Sequence, residues 1–512
     1  MNGNWDKTNF NTFCKKNLGK NQIMVEGNLV ANFEDGEISK LLSVKANLEI
    51  VSTECLLGEV NYSGKAYVNF IFVTTSNKIE NKSTIIDFSG KFSDSLITPT
   101  SKISTKSTLI DNISTSIANN NVKFNFYVET EFHLFDIYEI DAVSGGEGLI
   151  TKDEELTVNS FYRMISENSN VEQKLEVNEK VENVIFTNVT LKVLNTNSIN
   201  NYASIEYQLK TEVFYSYIKD EVMLYKKVDK TETFKHDMAF DGITDKTLLC
   251  ADVRLKAEPI NETLETLDSK TAINLVIPLS FWLVASNEME VKYAEDVYSL
   301  TNELNLSLST YLNQQNLESV FIDKKLSSDI TLDKEDERIE KIIYNTNPNF
   351  VLTNYENKET EVIVEGIAYT TIVYLSGDEL EKRSIEVEIP FSFKENCENS
   401  TGTSLWPVIN LKNIDVYAKK GREFEIELSI EIELKRTICT SYVYISDVEV
   451  ADEFEPCPYA LEIYYVKPNE TIWDISKKLR TTTDDILNQN PKLTLPLNEN
   501  DKLVIYRQQT NF

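Results

Sequence analysis

Histidine is nearly absent from this sequence, with two residues, His133 and His236, in a chain of 512. Most acid–base catalysis near neutral pH, and much metal binding, depends on histidine side chains. His133 is in phase with Glu129 and Glu131 along a strand-like segment, so we expect it on a solvent-exposed face. His236 precedes an aspartate, a neighbour pair that is common by chance.

Other catalytic signatures are missing as well. The sequence has no Gly-x-Ser-x-Gly elbow. The segment from Gly58 to Lys65 is unlike a phosphate loop, because Ala66 stands where Ser or Thr would bind magnesium. The many carboxylates allow a glycosidase pair by number alone, but no spacing supports one. We therefore expect a protein that is not an enzyme, with no catalytic residues, no metal site and no cofactor.

Long apolar runs and secretory signals are also absent. No stretch approaches about 18 consecutive apolar residues, so we expect no membrane span. The first residues lack a basic segment followed by an apolar one, which predicts an intracellular protein. The six cysteines are scattered without a Cys-x-x-Cys pair, so we expect mostly reduced, buried thiols rather than disulfides or a zinc site. They are Cys14, Cys55, Cys250, Cys397, Cys439 and Cys457.

Basic residues are outnumbered, with 51 Lys and Arg against 82 Asp and Glu and a net charge of −31. Such a chain repels phosphate backbones and anionic lipid surfaces, so nucleic acid and membranes are poor partners. A basic protein partner, or solubility alone, accounts for the charge better.

What the sequence does contain is a weak repeat of domain size. Three segments have apolar residues at i, i+3, i+4 spacing, which predicts a short helix in each copy. These triplets are Ile38/Leu41/Leu42, Val181/Val184/Ile185 and Ile339/Ile342/Ile343. Each precedes extended apolar runs, and the sequence from Phe424 to Leu434 alternates apolar and polar residues, as in a strand with one buried face. The fold class is therefore mainly β, with three tandem antiparallel, sandwich-like domains. We place them at 9–155, 156–310 and 311–450, followed by a small domain at 459–508.

The small C-terminal domain has a βααβ pattern. A strand from Ile463 to Val466 is followed by a helix that Thr471 caps and that runs to about Leu479. Ile475 lies on the buried stripe of this helix, whereas Trp473 lies off it. The indole therefore either faces a partner or packs against the closing strand.

A second helix follows the first. Thr482 and Asp485 form a capping-box pattern, with Ile486 on the inner side, and Asn490-Pro491 ends the helix. The segment Leu503 to Ile505 is the closing strand.

This order of elements resembles a LysM module, a family that binds carbohydrate or, less often, another protein. The resemblance implies a binding site made by the two loops, with no catalytic or metal-binding residue. The candidate residues are Pro468, Asn469, Glu470, Thr471, Ile472, Trp473, Asn490 and Pro491. Asn469 and Asn500 stand where the family usually has glycine, and Asn tolerates positive φ better than most residues. The bulkier loops favour a protein partner over a glycan.

The whole chain resembles the clostridial spore-coat morphogenetic proteins of the SipL type, whose spore-and-coat-associated domains precede one LysM module. The resemblance implies a scaffold in the mother-cell cytoplasm, at the forespore surface or spore coat. Its LysM module would bind the basal coat ATPase, stage IV sporulation protein A. The alternative is a peptidoglycan-binding LysM protein at the cortex or cell wall. A glycan hydrolase with a LysM anchor is a third, weaker option because no catalytic set is visible.

Overall fold

The chain is built almost entirely of antiparallel β-strands, as the alternating patterns predict. A computed structural model describes residues 5–33, 36–267, 270–333, 338–358, 360–397, 403–419, 421–455 and 460–506. Strands account for 78% of the residues and helices for 3%, which confirms the mainly β class. No helix in these ranges is long and apolar enough to cross a membrane.

Strand pairing groups the first 453 residues into three units of the same topology. The first unit contains β1 (Asp6–Val30), β2 (Ile38–Leu56), β3 (Glu59–Thr74), β4 (Ile79–Ser93), β5 (Lys102–Leu109), β6 (Ser114–Ala118) and β7 (Asn121–Gly145). The second contains β8 (Ile150–Val177), β9 (Val181–Ile199), β10 (Tyr202–Lys219), β11 (Val222–Ala239), β12 (Thr247–Leu255), β13 (Ile260–Leu267) and β14 (Lys270–Tyr298). The third contains β15 (Asn302–Thr331), β16 (Ile339–Asn345), β17 (Asn349–Asn357), β18 (Glu361–Ser376), β19 (Glu381–Asn396), β20 (Thr403–Ala418) and β21 (Glu423–Glu453).

Each unit is a two-sheet sandwich. Its long first strand pairs antiparallel with its long last strand, as β1 with β7, β8 with β14 and β15 with β21. We call the sheet that holds this pair the closing sheet and the other one the meander sheet. In the third unit the apolar residues of the alternating strand, from Phe424 to Leu434, are at most 1% exposed and pack against the meander sheet.

The predicted domain boundaries at 155/156 and 310/311 fall within β8 and β15. Both strands pair along most of their length with the last strand of their own unit. The exact division into domains stays a prediction.

The predicted short helices of the three repeats are wrong, because all three segments are strands. In β2 the register slips by one residue between Ile38 and Lys40 and again between Leu41 and Ser43. The same two irregularities occur at the matching positions of β9 and β16. Each bulge adds a residue and reverses the inside–outside alternation, so a bulged strand acquires apolar residues at helical spacing. The extra residues of the second bulge are Leu42, Ile185 and Ile343, and all three are buried in one shared apolar cluster.

The three units pack against one another around this shared cluster and around a second one. The second cluster lies on the closing sheets and includes Phe10 of the first unit, Tyr293 of the second and Tyr311 of the third. Beside it, the side-chain oxygen of Asn313 accepts hydrogen bonds from the Thr12 hydroxyl at 2.9 Å and the Asn159 backbone N–H at 3.0 Å. All three units therefore meet at one buried amide.

The cysteines depart from the prediction that most of them are reduced and buried. Cys14 of β1 and Cys439 of β21 form a disulfide across 425 residues, with Cα atoms 6.2 Å apart. The bond joins the first unit to the third. Cys250 is exposed and Cys55 is half-buried, whereas Cys397 is buried as expected. Cys457 lies outside the described residues. Sequence spacing missed the pair because two distant strands bring the sulfur atoms together.

Candidate functional site

The C-terminal domain has the predicted order of elements. Strand β22 (Leu461–Tyr465) pairs antiparallel with β23 (Lys502–Tyr506), and the helices α1 (Ile472–Leu479) and α2 (Thr483–Gln489) lie between them in sequence. The small core is a single apolar cluster formed by Val466, Ile475, Leu479, Ile486, Leu503 and Ile505. Both helices and β23 contribute to this core, so the domain has a hydrophobic core of its own.

The loop before α1 is held by a capping box. The Thr471 hydroxyl accepts from the Asp474 backbone N–H at 3.2 Å, and the Asp474 carboxylate accepts from the Thr471 backbone N–H at 2.9 Å. The Thr471 side chain and backbone donate to this carboxylate and lower its pKa. Asn469 has a φ of +61° and Asn500 a φ of +70°, which confirms that asparagine adopts the left-handed conformation at both turns.

Two of the predicted binding residues are used inside the domain. The Glu470 carboxylate accepts from the Tyr464 hydroxyl at 2.8 Å and from the Lys467 backbone N–H at 2.9 Å. Asn490 ends α2, and its side-chain amide exchanges two 2.8 Å hydrogen bonds with the backbone of Val504. Both side chains therefore fix loop geometry instead of presenting free polar groups.

The other predicted residues divide into exposed and packed groups. Pro468, Asn469, Thr471 and Pro491 are exposed. Ile472 is partly buried against the core cluster, as is Leu493 after the second loop. The two loops are thus anchored on the same core while their tips remain open to solvent.

Trp473 has a different environment from either of the two predicted ones. Its indole N–H donates to the Asp296 carboxylate at 2.8 Å, and its ring lies edge-on to Tyr298 at a centroid distance of 4.9 Å. Lys477 forms an ion pair with the same carboxylate at 2.6 Å. Both partners lie at the end of β14, so α1 packs against the second unit. Nothing in the local sequence indicated these partners, which are about 180 residues away along the chain.

Two further contacts attach the residues just after α1 to the body of the protein. The Tyr298 hydroxyl donates to the carbonyl of Thr481 at 2.7 Å. The Arg480 guanidinium lies 3.5 Å from the centre of the Phe454 ring, just after β21. The C-terminal domain is therefore attached to the rest of the protein through its first helix and the two residues that follow it.

The outer face of the two-stranded sheet is apolar and exposed. Leu461, Ile463 and Tyr465 alternate on β22, and Tyr506 is opposite Leu461 on β23. Their exposed fractions are 49%, 48%, 58% and 61%, respectively. Alternating residues share a face of a strand, so these four side chains form one surface, which we call the outer sheet face. The sequence contained this alternation, but our interpretation centred on the loops.

Both histidines pack against aromatic rings. His133 is 7% exposed, contrary to the expected solvent-facing position, and its ring packs edge-on to Trp406 at 4.8 Å. Burial lowers the pKa of His133. The His236 ring stacks on Phe281 at 4.0 Å. The predicted solvent exposure of His133 is wrong, because Trp406 of the third unit covers this part of the polar face.

Residues 464–505 match the LysM domain family. Comparison with curated proteins and with solved structures found no match. The chain therefore carries a LysM domain at its C-terminal side, a domain that suggests binding of peptidoglycan or another carbohydrate in general terms. The three β-sandwich units before it have no matched relative among these comparisons.

Proposed function

We propose that this protein is a non-enzymatic scaffold for spore-coat assembly whose LysM domain binds a protein platform. The resemblance of three β units plus one LysM domain to coat morphogenetic proteins suggests stage IV sporulation protein A as that platform. The place of action would be the mother-cell cytoplasm at the forespore surface. The observation that carries the proposal is the outer sheet face of the LysM domain.

This face has the chemistry of a protein interface. Two tyrosines and two aliphatic side chains lie together, each about half exposed or more. Interfaces are enriched in aromatic residues at their centres, and contiguous exposed apolar surface commonly marks an interaction site. In the same domain Trp473, the aromatic residue of the predicted loop site, already contacts Asp296 and Tyr298. A protein partner on the sheet face is compatible with that contact.

Peptidoglycan binding is the second candidate, and the family match favours it. The exposed residues of the two loops, Pro468, Asn469, Thr471 and Pro491, would then face the glycan. Trp473 would join them only if α1 separated from the second unit.

The test compares both ligands with two sets of variants. Ile463→Glu places a charge on the outer sheet face and should weaken capture by the purified basal coat ATPase about tenfold or more, because hot-spot apolar contacts commonly contribute more than 1.4 kcal/mol. Leu57→Glu is the matched control, since Leu57 is an exposed leucine of the first unit at 82% exposure. Peptidoglycan sedimentation is measured in parallel.

The results separate the candidates. Loss of ATPase capture with Ile463→Glu, but not with Leu57→Glu, supports the scaffold. The scaffold proposal would be overturned if the protein sediments with peptidoglycan, loses this binding when 459–512 is deleted, and does not capture the ATPase. That result would favour the glycan-binding hypothesis. Muramidase or amidase activity in the purified protein would contradict the non-enzymatic assignment.

A further inference from the structure

A cavity lies where the three units meet. Its volume is about 390 Å³, and residues of all three units line it. The first unit contributes parts of β2 and β5, the second part of β9, and the third the turn between β16 and β17 with parts of β18 and β20. Small-molecule sites commonly have volumes of about 300–1,000 Å³ and occur preferentially at domain interfaces. This cavity therefore has the size and the position of a ligand site.

Asparagine side chains that cross from one unit to the next hold the walls of the cavity in place. The Asn47 amide of the first unit donates to the Glu258 carboxylate of the second at 2.9 Å. In the third unit, the Asn347 amide donates to a carbonyl of β9 at 3.1 Å, and the Asn349 amide donates to the last carbonyl of β5 at 3.0 Å. Each pair of units is thus joined by such a bond, so the cavity is formed before any ligand enters.

The lining of the cavity is polar but almost uncharged. Of the 26 residues that line it, Lys45 and Asp111 are charged, in a chain in which 26% of the residues are. The Lys45 ammonium lies 3.7 Å from the Glu258 carboxylate, so its charge already has a partner. Twelve lining residues carry a side-chain amide or hydroxyl, namely five asparagines, six serines or threonines and one tyrosine. Such a lining favours an uncharged ligand that forms many hydrogen bonds.

Three of these polar side chains have hydrogen-bonding capacity that the protein does not use. Within the described ranges, the side-chain amides of Asn112 and Asn410 and the hydroxyl of Tyr369 form no hydrogen bond with another residue. All three residues are partly exposed, and Asp111 at the same cavity is exposed, so solutes in water can reach them. Each of the three groups can both donate and accept.

We propose that this cavity binds an uncharged saccharide of one or two rings, and that Asn112, Asn410 and Tyr369 contact it. Every sugar hydroxyl both donates and accepts, as these amides and the phenol do, so the two sets of groups are complementary. The Tyr369 ring adds an aromatic surface beside its hydroxyl. The site is separate from the LysM loops, and the inference is independent of what the LysM domain binds.

The test is isothermal titration calorimetry of the full-length protein with maltose, cellobiose and N,N′-diacetylchitobiose, and with triglycine as an uncharged peptide. At least one disaccharide should bind. Asn410→Ala and Tyr369→Phe should each weaken that binding about fivefold, which corresponds to about 1 kcal/mol, the net contribution of one hydrogen bond.

Two matched control variants lie outside the cavity. Asn197→Ala changes an exposed asparagine of β9, and Tyr202→Phe changes a tyrosine of β10 that is 55% exposed. Both should bind the disaccharide as the wild type does. Pro491→Ala, at an exposed residue of the LysM loops, should also leave the affinity unchanged. If Asn410→Ala does not fold, Tyr369→Phe is sufficient for the test, because it removes a single oxygen atom that has no partner in the described ranges.

Three results would overturn the proposal. The first is that none of the three disaccharides binds. The second is that Asn410→Ala and Tyr369→Phe bind as tightly as the control variants, or that Pro491→Ala weakens the binding in their place, which would assign the saccharide to the LysM loops. The third is that triglycine binds, that Asn410→Ala weakens its binding, and that no disaccharide competes, which would identify the cavity as a peptide site.

Discussion

At the scale of single residues, Trp473 connects two parts of the protein without belonging to either core. Its ring contacts Tyr298 and its N–H contacts Asp296, whereas the LysM core consists of other side chains. Trp473→Ala should therefore weaken the packing of α1 on the second unit by about 1–2 kcal/mol. The LysM domain itself should stay folded. Hydrogen exchange should increase around 296–298, while the amides of β23 stay protected.

Tyr465→Ala is the control for this prediction. It also removes an aromatic side chain from the LysM domain, but that side chain is exposed on the outer sheet face. Loss of protection throughout 461–506 in Trp473→Ala would show instead that the indole supports the LysM core. The sequence predicted that Trp473 lies off the buried stripe of its helix. It did not predict Asp296 and Tyr298, because contacts between distant strands and helices leave no local pattern.

At the scale of elements, the capping box of α1 makes the LysM domain sensitive to acid. The pKa of Asp474 is lowered in the folded protein, so its contribution to stability is present above the unfolded pKa of about 3.9 and is lost as the pH falls through the folded value. Thr471→Ala should cost about 1 kcal/mol at pH 7 and less near pH 2. Chemical unfolding of the domain at the two pH values measures this difference.

Thr494→Ala, at an exposed threonine of the loop before β23, is the control and should change stability little at either pH. An equal cost of Thr471→Ala at pH 7 and pH 2 would mean that the Asp474 carboxylate does not contribute to the cap. Caps of this kind are predictable because all partners lie within four residues. The bulges of β2, β9 and β16 cannot be predicted in this way. A bulge depends on pairing with a neighbouring strand, and in the sequence it produces the same apolar spacing as a helix.

At the scale of the whole molecule, the disulfide between Cys14 and Cys439 closes the chain of three units. The first and third units would otherwise be joined covalently only through the second, and the bond restrains a loop of 425 residues. A cross-link over a loop this long removes much conformational freedom from the unfolded chain, with a typical effect of about 2–5 kcal/mol. No local pattern indicated the pair, because the two cysteines are too far apart along the chain for any short motif.

Cys14→Ser should therefore lower the thermal unfolding temperature of the oxidised protein, and a reductant should lower the wild type to the same value. Oxidised wild type should also migrate faster than Cys14→Ser on a non-reducing denaturing gel, since the closed loop keeps the unfolded chain compact. Cys55→Ser, at a half-buried position of β2 outside the bond, should behave as wild type in both measurements. If the reductant changes neither migration nor unfolding temperature, the two thiols are not bonded in the purified protein. The three units would then be held together by non-covalent contacts, among them their shared apolar clusters and the hydrogen bonds of Asn313.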